Sequence, residues 1–170
     1  MKKALFLAVS VVVASFLHAD IMNWQVNDSS LSDCNWAALK WADSATTTAS
    51  DDNILAESAL SNGQGQEKQL DLASLVGAGY NTKYFFIEVG NYTDQGFQVA
   101  KTAGAYSYSD LVSAGLISTG SMNPPSGLTF GQSGVTIAGS PMSYGAVPEP
   151  SSAMLILLGL AVAGLKRRRA

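Results

Sequence analysis

Lys83-Tyr84-Phe85-Phe86-Ile87-Glu88-Val89 is the stretch that decides the fold. Phe85, Ile87 and Val89 recur at a spacing of two, and Tyr84, Phe86 and Glu88 fill the alternate positions. That period belongs to a β-strand, whose successive side chains point to opposite faces. Aromatic residues in both sets predict a central strand covered on both sides. Gly90 to Gly96 (G-N-Y-T-D-Q-G) supplies turn-forming residues. Phe97 to Thr102 then resumes as a strand, so the pair predicts a β-hairpin.

Upstream, Asp20 to Val26 places Met22, Trp24 and Val26 on one face of a first strand. Cys34 to Ala42 sets Ala37, Leu39 and Trp41 against Trp36, Ala38 and Lys40, and its two tryptophans favour a strand over a short helix. Ile54 to Leu60 reads as a brief strand or a helical turn. The stretches 27–33, 43–53 and 61–69 read as polar loops. Downstream, Tyr106 to Ser118 predicts one short helix, with Ser107 or Ser109 as its cap, Asp110 in its first turn and Gly115 at its end. Leu128 to Phe130 and Val135 to Ile137 predict two last short strands. Short strands and frequent Gly, Ser and Asn turns predict a mostly β domain, an antiparallel β-sandwich-like fold with one short helix. It is expected to span 20–138, with a linker at 139–147.

The segment 20–146 holds four lysines, twelve acidic residues and no arginine, a net charge of −8. Phosphate binding needs a basic face, so a nucleic-acid partner is disfavoured. The chain's one histidine is His18, ahead of this segment. That removes Ser-His-Asp and Cys-His chemistry and His-containing zinc sites from the mature domain. Cys34 is the sole cysteine, so no internal disulfide can form. It reads as a structural, half-buried thiol.

The two ends carry addresses. Lys2 and Lys3 precede an apolar stretch, Ala4 to Leu17, and Leu17-His18-Ala19 ends on a small residue. This is the pattern of a secretory signal peptide over 1–19, cut between Ala19 and Asp20 by signal peptidase. At the other end, Pro148-Glu149-Pro150 precedes an uncharged apolar run over 153–165 and a basic end, Lys166-Arg167-Arg168-Arg169. The prolines stiffen and extend the approach and present Glu149. The run predicts a transmembrane helix, with the four cations as a stop that keeps the C-terminus in the cytoplasm. As a helix, 13 residues rise about 20 Å, against a bilayer core of about 30 Å. A run this short suits a temporary hold better than a permanent anchor.

Triplet, apolar run and basic end together resemble the PEP-CTERM sorting signal, which is found on exported proteins of Gram-negative bacteria that make extracellular polysaccharide. The resemblance covers the last 24 residues or so. It implies recognition by an exosortase, a membrane-embedded cysteine transpeptidase-like enzyme that cleaves near the motif. It also implies transient residence in the inner membrane, then release to the cell surface or the extracellular matrix.

Several residue groups in the middle could carry chemistry. Asp28, Asp33 and the run Asp51-Asp52-Asn53 could supply oxygen ligands to calcium, but they match no EF-hand. Paired carboxylates could hydrolyse glycosides without histidine, but no spacing singles out a pair. Trp24, Trp36, Trp41, Tyr80, Tyr84, Tyr92, Tyr106 and Tyr108 could include a sugar-stacking platform, or they could build the core. The expectation is a non-enzymatic exported protein with no catalytic residue, metal or cofactor. The alternatives are a module that binds extracellular polysaccharide and a small carboxylate-dependent secreted hydrolase. A flat face of co-planar exposed aromatics would mark the first, and two carboxyls in a cleft the second.

Overall fold

The computed structural model describes residues 19–147. The expected signal helix, the Pro148-Glu149-Pro150 triplet, the apolar run 153–165 and the basic end 166–169 lie outside the described residues. Eleven strands and two short α-helices make up the described part. In chain order they are β1 (Ile21–Asn27), β2 (Trp36–Ala42), β3 (Ile54–Ala59), β4 (Lys68–Asp71), α1 (Leu72–Val76), β5 (Tyr84–Thr93), β6 (Gly96–Ser107), α2 (Tyr108–Ser113), β7 (Ile117–Ser118), β8 (Phe130–Gln132), β9 (Thr136–Ile137), β10 (Ser140–Pro141) and β11 (Gly145–Ala146).

A five-stranded sheet runs β11-β6-β5-β2-β3, and every pairing in it is antiparallel. β5, the strand of the opening motif, lies at its centre. A second sheet is built on β1, with β4 along one side and β7 and β8 along the other. The sheets are antiparallel as expected except in one pairing, where β8 runs parallel to β1. β9 and β10 form a small separate ribbon.

The alternation read from the sequence sets the core. Met22, Trp24 and Val26 of β1 are fully buried, as are Leu39 of β2 and Phe85, Ile87 and Val89 of β5. With Leu70, Leu111, Ile117 and Phe130 they form one hydrophobic cluster to which both larger sheets contribute. Gly131 lets the sheets meet closely. Its φ is 109°, and a Cβ there would lie 2.5 Å from the Gln25 carbonyl oxygen and 3.3 Å from Ile87 Cδ1. The opposite face of β5 is covered too, for Phe86 is fully buried.

The expected helix forms at α2. Ser107 caps it in a capping box with Asp110, and Gly115 follows at φ 71°. A second helix, α1, was not expected. Asp71 caps it by accepting from Ala73 N–H and Ser74 N–H, and the chain leaves it through Gly77. The hairpin is tighter than expected. β5 continues to Thr93, which pairs with Gly96, so only Asp94 and Gln95 turn the chain. Residues 139–147, expected as a linker, instead contain β10, paired with β9, and β11, paired with β6 of the five-stranded sheet, and Met142 is buried.

Replacing Phe85 with alanine is expected to cost about 3–5 kcal/mol. Replacing Leu75, which is 48% exposed, should stay within about 0.5 kcal/mol. Urea unfolding of the two variants checks this, and equal losses would contradict the core assignment.

Candidate functional site

The chain leaves the domain along the outer edge of β6. β11 pairs there through Gly145 with Thr102 and Ala146 with Lys101. Val147 N–H adds a bond to the Ala100 carbonyl at 3.1 Å. Gly145 and Ala146 are exposed, so no buried side chain fastens this strand. The fastening lies just upstream. Met142 is buried and exchanges backbone hydrogen bonds with Val135 and Gly134. The Tyr144 hydroxyl donates to the Gly131 carbonyl at 2.6 Å. Burial, then the negative charge of Asp28, pushes the Tyr144 phenol well above its ordinary pKa.

Beside this exit, the outer face of the five-stranded sheet holds an ion pair. Lys40 Nζ lies 2.9 Å from Glu88 Oε2, and both side chains are almost wholly removed from solvent. They meet because Ala38 is the register partner of Glu88, which puts Lys40 one pair further along the same face. Glu88, Thr47, Thr48, Val99, Thr102 and Val147 line a cleft of about 290 Å³. Alternation along β2 places Lys40 on this face.

The aromatic residues are mostly spoken for. Trp24 is in the core. Lys83 Nζ stands 4.7 Å above the Trp41 ring. Tyr106 packs edge-on against Phe130. Trp36, Tyr92 and Phe97 do gather on the outer face of the sheet. Trp36 meets Tyr92 at 76°, however, and Tyr92 meets Phe97 at 44°. Rings at these angles do not make the flat stacking face that a sugar-binding platform needs.

Several of the acidic groups have structural partners. Asp28 accepts from Ser30 N–H at the start of a short 3-10 turn. Partial burial opposes its ionisation, but hydrogen bonds from Ser30 and Ser133 and the charge of Lys101 hold its carboxyl below the usual range. Asp33 is lowered by its own backbone N–H and by Lys101, 3.5 Å away. Glu57 accepts from Trp36 Nε1 at 3.2 Å. Cys34 is buried, and burial with the nearby charge of Asp33 raises its thiol. Among the described residues no group of three acidic, Cys or His side chains is placed to hold a metal ion. None of their helices is long and apolar enough to cross a membrane.

Asp20, expected as the first mature residue, proves to be a hub. It is 4% exposed. Its Oδ2 accepts from the hydroxyls of Tyr80, at 2.8 Å, and of Tyr108, and its Oδ1 from Gly120 N–H, at 2.8 Å. The Asp20 carbonyl accepts from Leu72 N–H and the Ala19 carbonyl from Ser121 N–H. Burial and the bond to Asp20 push Tyr80 up to about 12 and Tyr108 higher still. The cleavage pattern pointed to this residue, but nothing in the sequence showed that Tyr80 and Tyr108 converge on it.

Residues 146–170 match the family model of the PEP-CTERM protein-sorting motif. That match holds Pro148, Glu149, Pro150 and the basic end Lys166 to Arg169. It begins at Ala146, within β11, and covers the C-terminal segment only. No curated protein and no solved structure matched the chain. The PEP-CTERM motif implies an exported protein that is sorted by an exosortase.

Two outcomes follow from this geometry. Removing Glu88 alone (Glu88→Ala) takes one charge out of the buried Lys40–Glu88 pair and is expected to destabilise the fold more than Lys40→Met with Glu88→Leu, which removes both charges. Denaturant unfolding compares them, and equal losses would contradict the ion pair's burial. A phenol whose folded pKa is raised stabilises the fold below its unfolded value of about 10. That contribution is lost as pH rises, for Tyr80 through about 12. Tyrosinate absorbance of the native protein should therefore lag behind that of the urea-unfolded chain near pH 11, and Tyr80→Phe should shrink the lag.

Proposed function

We propose that this chain is a precursor whose β-rich domain is delivered to the cell surface or the extracellular matrix. In this reading signal peptidase removes residues 1–19. The apolar run 153–165 holds the chain briefly in the inner membrane with Lys166 to Arg169 in the cytoplasm, and an exosortase then processes it near Pro148-Glu149-Pro150. The observation that carries the reading is the sorting-motif match over 146–170. It is supported by the charged and apolar pattern at the N-terminus and by the continuity of the folded domain with the motif, since Val147 is bonded to β6.

The delivered domain acts as a structural or binding component rather than as an enzyme. Its acids support this, because Glu88, Glu57 and Asp20 are committed to Lys40, Trp36 and the tyrosine pair. The absence of histidine after His18 points the same way.

Full-length chain carrying Pro148→Ala and Glu149→Ala, expressed in a host that has an exosortase, is expected to accumulate as precursor in the inner-membrane fraction. The parent chain should appear outside with Asp20 at its N-terminus by mass spectrometry. Release of the double variant at the parental rate would overturn the sorting reading.

A further inference from the structure

The sorting-motif match starts at Ala146, yet Ala146 belongs to β11 and Val147 N–H is bonded to the Ala100 carbonyl. An enzyme that takes up an extended peptide engages its backbone groups and alternate side chains. The Val147 N–H cannot serve β6 and an enzyme at once. We propose that residues 145–147 are a releasable strap, and that the processing enzyme takes up the motif only after β11 has left the edge of β6. This rests on the reading of the motif as an exosortase signal.

The anchoring is graded in the way such a strap requires. Gly145 and Ala146 are exposed and held only through the backbone. Met142 and Tyr144, just before them, are tied into the domain by burial and by the bond to Gly131. Release therefore stops at Tyr144 and leaves the core intact. Reach argues the same way. From Val147 to Ala153 the chain can extend no more than about 22 Å, and freeing it back to Tyr144 adds about 10 Å. That is the room available to a membrane-embedded enzyme between the sheet edge and the start of the apolar run.

Two changes fasten the strap without touching Pro148, Glu149 or Pro150. Gly145 lies outside the matched residues, and a Cβ there would meet nothing within 4 Å. Gly145→Val adds a β-branched side chain that favours the strand, so processing should slow by up to about five-fold. Lys101 and Ala146 are register partners. Lys101→Cys with Ala146→Cys, in a Cys34→Ala background, can close a disulfide between β6 and β11.

Pulse-chase of the full-length chain in an exosortase-bearing host reads the rate of precursor loss, with the Cys34→Ala chain as the parent of the locked variant. The locked chain should remain precursor until reductant is added to washed membranes, and then be processed. Processing of Gly145→Val and of the locked chain at parental rates would overturn the strap. If non-reducing gels show no disulfide, Gly145→Val decides alone. The Pro148→Ala/Glu149→Ala chain separates the two readings. If it is processed like the parent, the sorting reading fails; if it is blocked while the fastened variants are processed normally, only the strap fails.

Discussion

Phe85 and Phe86 are adjacent in the chain, point to opposite sides of one strand, and are both wholly buried. A strand with that demand cannot face water on either side. β5 is also paired on both edges, by β2 and β6. Its inner face needs an apolar partner surface, which the β1 sheet provides through Met22, Trp24 and Phe130. On its outer face lie the buried Phe86 and Glu88, the latter paired with Lys40 of β2. The cost of desolvating that ion pair is tolerated because each charge meets the other at 2.9 Å.

The sequence was most legible where one residue's environment follows from its immediate neighbours. The strands β1, β2 and β5, the hairpin and the capped α2 were all readable from alternation and from local cap chemistry. The fold class followed from them. α1 was missed because five residues are too few for a helical period to show, although Asp71 before it and Gly77 after it were the available cap signals. The parallel β8 pairing and the folded 139–147 stretch were missed for a different reason. Both depend on contacts made far away in sequence, and two- or three-residue strands carry no period.

The sorting motif was wholly legible, since its order of triplet, apolar run and cations is itself the chemistry. The domain's own polar features were not. Asp20 looked like a position at a cleavage boundary, and the fold makes it the acceptor that joins the start of β1 to the segments carrying Tyr80, Tyr108 and Gly120. Glu88 looked like one acid among twelve, and the fold makes it one of the buried ones. In both cases the environment comes from elements that are distant along the chain.

β1 lies between its neighbours in its sheet, yet every strand that pairs with it comes later: β4, β7 and, last, β8 at Phe130–Gln132. The order in which the chain emerges therefore matters. The first strand to appear has no partner until β4 has followed, and its sheet is complete only with β8; contacts this far apart in sequence form slowly. The β1 sheet can therefore be completed only after its last strand, β8, has been made, whereas the neighbouring pairs β2–β3 and β5–β6 can close earlier.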